Sequence, residues 1–205
     1  MIRVVTVGGE VGSGRVEIAH GVAGSLGWNL VDNTFIEEIA RTARVDPELA
    51  RRYDECIDPW FHRLRKALWH GGYEGVVSTA EAAPFDAGAM AAFSRRVIEE
   101  AAKEGQCVVV GRGGQCVLQD RLDAFHVFIY APRRERIERL RRQQGPDADA
   151  EDLMDAGDRR RQAYIRLYFG QEWNNPHLYD LMLCSSMGET AAAETIVAAV
   201  RQQQG

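Results

Sequence analysis

Arginine carries nearly all of the positive charge in this sequence: Lys66 and Lys103 are the only lysines among 25 basic residues. A guanidinium presents a planar fork that matches phosphate oxygens, whereas an ammonium is a point charge. Two clusters concentrate it, Arg133, Arg134, Arg136, Arg139, Arg141 and Arg142, then Arg159, Arg160, Arg161 and Arg166. Well ahead of both stands Gly8-Gly9-Glu10-Val11-Gly12-Ser13-Gly14-Arg15-Val16. Glycines there let consecutive backbone N–H groups turn toward an anion. Laid on the phosphate-loop pattern Gly-x-x-x-x-Gly-Lys-Ser/Thr, Gly9 and Gly14 match, Arg15 takes the lysine place and Val16 that of the metal-ligating hydroxyl. An anion is expected at the backbone of Gly12, Ser13, Gly14 and Arg15. Two plainer readings stay open at this point, a tight glycine turn with no ligand and arginine-rich helix faces that are simply solvated.

The elements that would position these residues alternate. Ile2 to Val7, Trp28 to Val31, Gln106 to Val110 and Ala124 to Tyr130 read as strands, with Leu178 to Leu183 a weaker fifth. Helical patterns run over Ser13–Leu26, Thr34–Ala43, Pro47–Glu55, Trp60–Trp69, Ala87–Glu104, Arg133–Gln144, Glu151–Phe169 and Glu189–Gln203. Apolar strands alternating with helices indicate an α/β fold with a buried parallel sheet. Such sheets bind ligands beyond the carboxyl ends of their strands, which is where the glycine turn falls. The interval 45–104 holds no clear strand and is expected to be a helical insertion above the sheet edge, with 71–88 its loose part.

At 205 residues with 45% hydrophobic and 27% charged residues, the chain has the size and composition of one globular domain. A net charge of −5 argues against non-specific nucleic-acid binding. No stretch reaches the length of a membrane span, and the N-terminus lacks a signal-peptide pattern, so a cytoplasmic protein without membrane contact is expected. Cys56, Cys107, Cys116 and Cys184 are widely spaced, with no zinc-ligand spacing, and are expected as reduced core thiols. No metal-ligand cluster is expected from protein side chains, with Asp32 and Glu10 left open as single carboxylates that could touch a phosphate-bound ion.

Longer segments carry a resemblance. Gly12-Ser13-Gly14 with Glu17-Ile18-Ala19, Leu30-Val31-Asp32 and Ile36-Glu37-Glu38-Ile39-Ala40 is similar to the start of the cytidylate-kinase-like family, a branch of the nucleoside-monophosphate kinases. Val109-Val110-Gly111-Arg112 and Val127-Phe128-Ile129-Tyr130-Ala131-Pro132 resemble its middle. Asp158-Arg159-Arg160-Arg161, Tyr164, Gly170, Trp173 and Tyr179-Asp180-Leu181 resemble its C-terminal third. The resemblance runs in order from about Val4 to Val200. It implies a P-loop kinase fold, a five-stranded parallel sheet flanked by helices, with a core of 1–44 and 105–205, a helical acceptor-binding insertion over 45–104 and a lid at about 145–170. It also implies transfer of the ATP γ-phosphoryl, as the Mg²⁺ complex, to a CMP-like acceptor. The alternatives are a nucleotide-binding regulator without transfer and a kinase of another small phosphorylated acceptor.

By the same resemblance, Gly9, Gly12, Ser13, Gly14, Arg15, Val16, Arg136 and Arg139 would hold the donor, and Asp32 and Arg112 the acceptor. Arg15, Arg159, Arg161 and Asp158 would carry the chemistry, with Asp158 holding Arg161 until phosphate takes it. Each has a structural alternative: Asp32 as a helix cap, Arg112 as a capping ion pair, Arg136 and Arg139 as a solvated face, Asp158 and Arg161 as a plain ion pair. Trp60, Phe61, Trp69 and Tyr73 are expected as core before base-stacking residues. Three positions depart from the true cytidylate kinases: the loop lysine and hydroxyl are Arg15 and Val16, and the arginine six residues beyond Asp32 is Glu38.

Overall fold

In the computed structural model five strands, β1 (Val4–Gly9), β2 (Asn29–Val31), β3 (Cys107–Val110), β4 (Ala124–Tyr130) and β5 (Leu181–Cys184), form one parallel sheet. Their order is β2-β3-β1-β4-β5. The structure describes residues 1–42, 60, 63–64, 67–68, 87–145 and 149–203. The helices within these are α1 (Arg15–Leu26), α2 (Asn33–Thr42), α3 (Ala87–Glu104), the short α4 (Gly114–Val117), α5 (Arg133–Gln144), α6 (Ala150–Phe169) and α7 (Glu189–Gln202).

Alternation along the strands divides the core in two. Val5 and Val7 of β1, with Val108, Val110, Val127 and Ile129, pack on Ile18 and Val22 of α1 and Ile196 of α7. Val4 and Val109 face the other way, onto Ile36 of α2 and Phe93, Val97 and Ile98 of α3. Both faces of the sheet are therefore covered, which is why its strands read as unbroken apolar runs.

The elements differ from expectation in specific ways. The first strand extends through Gly8 and Gly9, paired with Phe128 and Ile129. Glycine is a poor strand former, but a Cβ on Gly9 (φ 148°) would lie 2.3 Å from the Ile129 carbonyl oxygen, so the close pairing requires it. Helix α1 starts at Arg15, not Ser13, because Gly12 and Gly14 are left-handed (φ 76° and 77°). At the last strand, Asn175 and Pro176 set a 3₁₀ turn over Pro176–Leu178, and pairing begins only at Leu181. The span Ala87–Glu104 belongs to the core layer, since Val97, Ile98, Ala101 and Ala102 have no exposed surface. The expected insertion therefore cannot reach residue 104. Trp60, Leu64 and Leu68 are buried in the same cluster, and the Trp60 ring meets Phe35 at 5.2 Å. Phe61, Trp69, Tyr73, Cys56 and the helix expected over Pro47–Glu55 lie outside the described residues.

Burial pushes the Cys107 thiol up to about 12 and the Cys116 thiol up to about 11, so both are protonated packing groups at neutral pH. No helix among the described residues is long and apolar enough to cross a membrane.

One polar pair sits inside the sheet. Thr6 and His126 are register partners on β1 and β4, and Thr6 Oγ1 lies 2.8 Å from His126 Nδ1. Burial holds the imidazole below its usual 6.5, against the opposing pull of Asp180. The native state thus keeps His126 neutral, while the unfolded chain takes up the proton. Stability from this group is full above the unfolded value and is lost as pH falls below it. As pH falls from about 7.5 to about 5.5, through the ordinary imidazole value, wild type is expected to lose more unfolding free energy than His126→Gln. Equal losses in urea unfolding would show that the pair carries no such linkage.

Candidate functional site

The chain leaves β1 into the glycine turn and leaves β3 into Gly111-Arg112-Gly113, beside each other at the carboxyl edge of the sheet. All three residues of the second turn are left-handed, with φ 71°, 52° and 72°. For Arg112 that conformation costs about 1–2 kcal/mol, a strain that persists where the surroundings enforce it. The next residue must be glycine, because a Cβ on Gly113 would meet the Phe169 ring at 2.4 Å.

Between the two turns and α6 lies a cavity of about 540 Å³. Four arginines line it, Arg15, Arg112, Arg160 and Arg161, and no aspartate, glutamate or histidine does among the described residues. Asn33, Gln115, Gln144 and Tyr164 supply neutral polar surface. Arg15 and Arg161 converge on one acceptor, each donating through Nη1 to the Gly9 carbonyl at 3.4 Å and 2.8 Å. Burial lowers Arg15 to about 10 and Arg161 to about 9, with the charge of Arg15 the second cause at Arg161. Both remain cations at neutral pH. Arg112 donates from Nε to Asn33 Oδ1 at 2.8 Å and lies 3.6 Å from Glu37.

Behind the cavity the loop is held from outside. Arg136 is 7% exposed, donates from Nε to the Val11 carbonyl at 2.7 Å, and pairs with Glu10 at 3.4 Å and with Asp158. Asp158 in turn accepts the Val11 N–H at 2.8 Å. Glu10 accepts the Ala131 N–H at 3.1 Å. Arg139 donates to the Gly12 carbonyl and to the Ser185 carbonyl, both at 3.3 Å. These bonds draw the carbonyls of Val11 and Gly12 outward. The first N–H groups of α1, which have no helical acceptor, remain available at the dipole's positive end.

The expected site residues thus separate into groups. Gly9, Gly12, Ser13 and Gly14 form the turn, and Arg15, Arg112 and Arg161 reach the cavity. Arg136 and Arg139 do not line it, nor are they a solvated face: their guanidiniums are spent on the loop backbone and its carboxylates. Asp158 pairs with Arg136, accepts from Val11, and keeps a longer ion pair to Arg161 at 4.0 Å, so Arg161 is one of three groups that share this carboxylate. Arg159 is exposed and outside the cavity, where Arg160 stands instead. The sequence held that signal, for Gly157, Arg160, Arg161 and Tyr164 fall on one face at helical spacing. Asn33 and Gln115, also overlooked, have no comparable pattern. Asp32 is a cap, accepting the Phe35 N–H at 2.8 Å, and does not line the cavity. Nothing is described for the Glu38 side chain. The acidic start of the expected lid is anchored more firmly than its charges imply. Asp149 caps α6, and Ala150 and Met154, each 1% exposed, pack on Leu140.

A protein-bound Mg²⁺ does not fit these residues. Val16, at the hydroxyl place, is exposed and carries no ligand atom. The loop's own hydroxyl, Ser13 Oγ, is fully buried and outside the cavity lining. Glu10 and Asp32 are committed as above, and no group of three or more metal-ligating side chains occurs among the described residues.

Removing the carboxylate behind the loop leaves Arg136 with Glu10 as its remaining charged partner. Asp158→Ala is expected to cost about 3 kcal/mol in urea unfolding, in the range for one partner lost from a buried pair. Asp158→Asn, which keeps an acceptor for Val11, is expected to cost about half as much. A loss under about 1 kcal/mol for Asp158→Ala would mean that no buried pair holds the loop.

Among solved structures, an uncharacterized protein from Eubacterium ventriosum superimposes with a TM-score of 0.69 at 17% identity, covering 98% of this chain and 99% of that one. Shikimate kinase from Acinetobacter baumannii, in complex with shikimate, gives 0.54 at 13% identity over 99% and 95%. The Bacteroides thetaiotaomicron shikimate kinase gives 0.53 at 12% identity over 98% and 99%. These likenesses show the P-loop kinase fold. No protein of curated function matches the sequence. A family model, described as the cytidylate kinase-like family, matches residues 4–187. The glycine turn, the four-arginine cavity and α6 all fall inside that span, and the chain belongs to the cytidylate kinase-like family.

Proposed function

We propose that the protein transfers the γ-phosphoryl of ATP to a phosphate oxygen of a nucleoside monophosphate, with a CMP-like molecule as acceptor. The observation that carries this reading is the cavity lining, four arginines with no carboxylate and no imidazole among the described residues. An alcohol acceptor needs a base to take its proton. A phosphate monoester, with a second pKa of about 6, is already ionised at neutral pH and needs none. It is also the acceptor that gains most from arginines.

ATP is the proposed donor, its phosphates lying against the N–H groups of Gly12, Ser13, Gly14 and Arg15. Arg112 holds the acceptor phosphate, and Arg160 and Arg161 lie against the phosphoryl in flight. The bond from the γ-phosphorus to the β,γ-bridging oxygen breaks, a bond to the acceptor oxygen forms, and ADP leaves. A dianionic acceptor requires no proton transfer. Rate would come from positioning and from charge stabilisation of the equatorial oxygens. The Mg²⁺ that accompanies ATP in kinases finds no ligand set among the described residues. Small-molecule nucleotides are the only partners proposed. Cytoplasmic placement remains part of the proposal, as do a single domain and a moving α6.

One observation favours a second reading, a nucleotide-binding regulator without transfer: Arg15 and Val16 replace the lysine and hydroxyl of active loops. A coupled ADP-release assay over nucleoside monophosphates, with calorimetry for ATP, separates the two. Turnover with a pyrimidine monophosphate is expected, and ATP binding without turnover on any acceptor would favour the regulator. Arg112→Ala is expected to raise the acceptor KM by about tenfold to a hundredfold, the worth of a charge-assisted phosphate contact, with ATP affinity within about twofold. Equal losses on both substrates would assign Arg112 to the fold alone.

A further inference from the structure

Two guanidiniums sharing one neutral carbonyl are an unbalanced arrangement. Arg15 and Arg161 both donate to the Gly9 oxygen, at 3.4 Å and 2.8 Å. The carboxylate facing them, Asp158, is 4.0 Å from Arg161 and is already engaged by the Val11 N–H and by Arg136. The cavity they line offers no other negative side chain among the described residues, and Arg112 and Arg160 add to the positive field. In a partly buried site such repulsion is relieved by an anion that meets both forks at once. The pair also stands at the first turn of α1, where a phosphate chain on the loop must pass.

The same loop has lost the means to hold a metal ion. Position 16 is an exposed valine, Ser13 Oγ is buried, and Glu10 and Asp32 are bound to backbone N–H groups. Phosphate loops commonly neutralise the β- and γ-phosphates with one lysine and one metal ion that a loop hydroxyl helps to hold. Here a second cation, Arg161, is supplied by α6 as part of the chain itself.

We propose that Arg15 and Arg161 form a paired guanidinium clamp for the terminal phosphates of the donor nucleotide, and that this clamp makes nucleotide binding independent of Mg²⁺. The clamp rests on the proposed function, since it needs the polyphosphate to lie on the loop. On binding, Arg161 leaves the Gly9 carbonyl for phosphate oxygens, and Arg15 closes on the same group from the opposite side. Each fork makes two parallel bonds to its phosphate, a geometry that a lysine cannot reproduce. In the unliganded protein the two charges oppose each other, so the clamp is held apart from its ligand at a cost in stability.

Calorimetry of ATP binding in EDTA and in excess Mg²⁺ tests this directly. Wild type is expected to bind with affinities that differ by less than about fivefold between the two conditions. Arg161→Gln is expected to lose about tenfold or more in both, in keeping with a lost charge-assisted contact, and Arg161→Lys an intermediate amount. The ligand-free melting temperature of Arg161→Gln is expected to be no lower than that of wild type, because the variant removes a charge facing Arg15. A residue that merely braces the fold would show the opposite pair of results. A wild-type loss of fivefold or more on chelation overturns the proposal, as do Arg161→Gln and Arg161→Lys binding like wild type. Metal-dependent binding with normal turnover would remove the clamp and leave the kinase reading intact. No nucleotide binding in either condition would overturn both.

Discussion

A buried guanidinium at Arg136 is the constraint on which the site depends. It bonds the Val11 carbonyl and pairs with Glu10 and Asp158, so one side chain from α5 ties together the loop after β1 and the helix α6. Asp158 closes the ring through the Val11 N–H, and Glu10 reaches back to Ala131 at the end of β4. A buried ion pair is weak evidence for stability, because desolvation offsets much of its attraction. Its value here is geometric. Each charge meets backbone as well as its opposite, so the loop is fixed in one conformation before any ligand arrives.

That fixing explains the contrast between the two sides of the loop. Arg136 and Arg139 turn its carbonyls outward and are themselves neutralised by carboxylates. On the inner side, Arg15, Arg112, Arg160 and Arg161 line the cavity, and no carboxylate lines it among the described residues, the Glu37 partner of Arg112 and the Asp158 partner of Arg161 lying outside the lining. The division sorts the arginines by function better than their sequence clusters do. Close packing maintains it: a Cβ on Gly12 would lie 2.7 Å from the Arg136 carbonyl oxygen, and one on Gly157 would lie 2.6 Å from Val11 Cγ2. Glycine at these points lets α5 and α6 approach the loop closely enough for the ion pairs to form.

The sheet and the loop were legible in the sequence because both follow local rules. Buried parallel strands are apolar throughout, and a left-handed backbone favours glycine. Those rules placed β3, β4 and the Gly9–Gly14 turn within a residue or two. Partnerships were less legible. Asp158 lies three residues before Arg161, and spacing shows that pair, at 4.0 Å, but not that Arg136 and Val11 bind the same carboxylate from outside the helix. Asp32 matched a functional position, yet its side chain was already used by the turn into α2. Helix α3 falls within the strandless interval 45–104, so local pattern joins it to the insertion, whereas Val97, Ile98, Ala101 and Ala102 are buried in the core cluster against the sheet. Long-range packing decides such cases, and no local pattern contains it.

The central claim is that donor phosphates occupy the inner side of this pre-set loop and are met there by Arg15 and Arg161. A crystal structure with a non-hydrolysable ATP analogue, prepared without divalent metal, tests it most directly. The account predicts the terminal phosphates at the N–H groups of Gly12 through Arg15, with both guanidiniums on phosphate oxygens and Arg161 withdrawn from the Gly9 carbonyl. A triphosphate bound elsewhere, or one on the loop with Arg161 still hydrogen-bonded to Gly9, would contradict it.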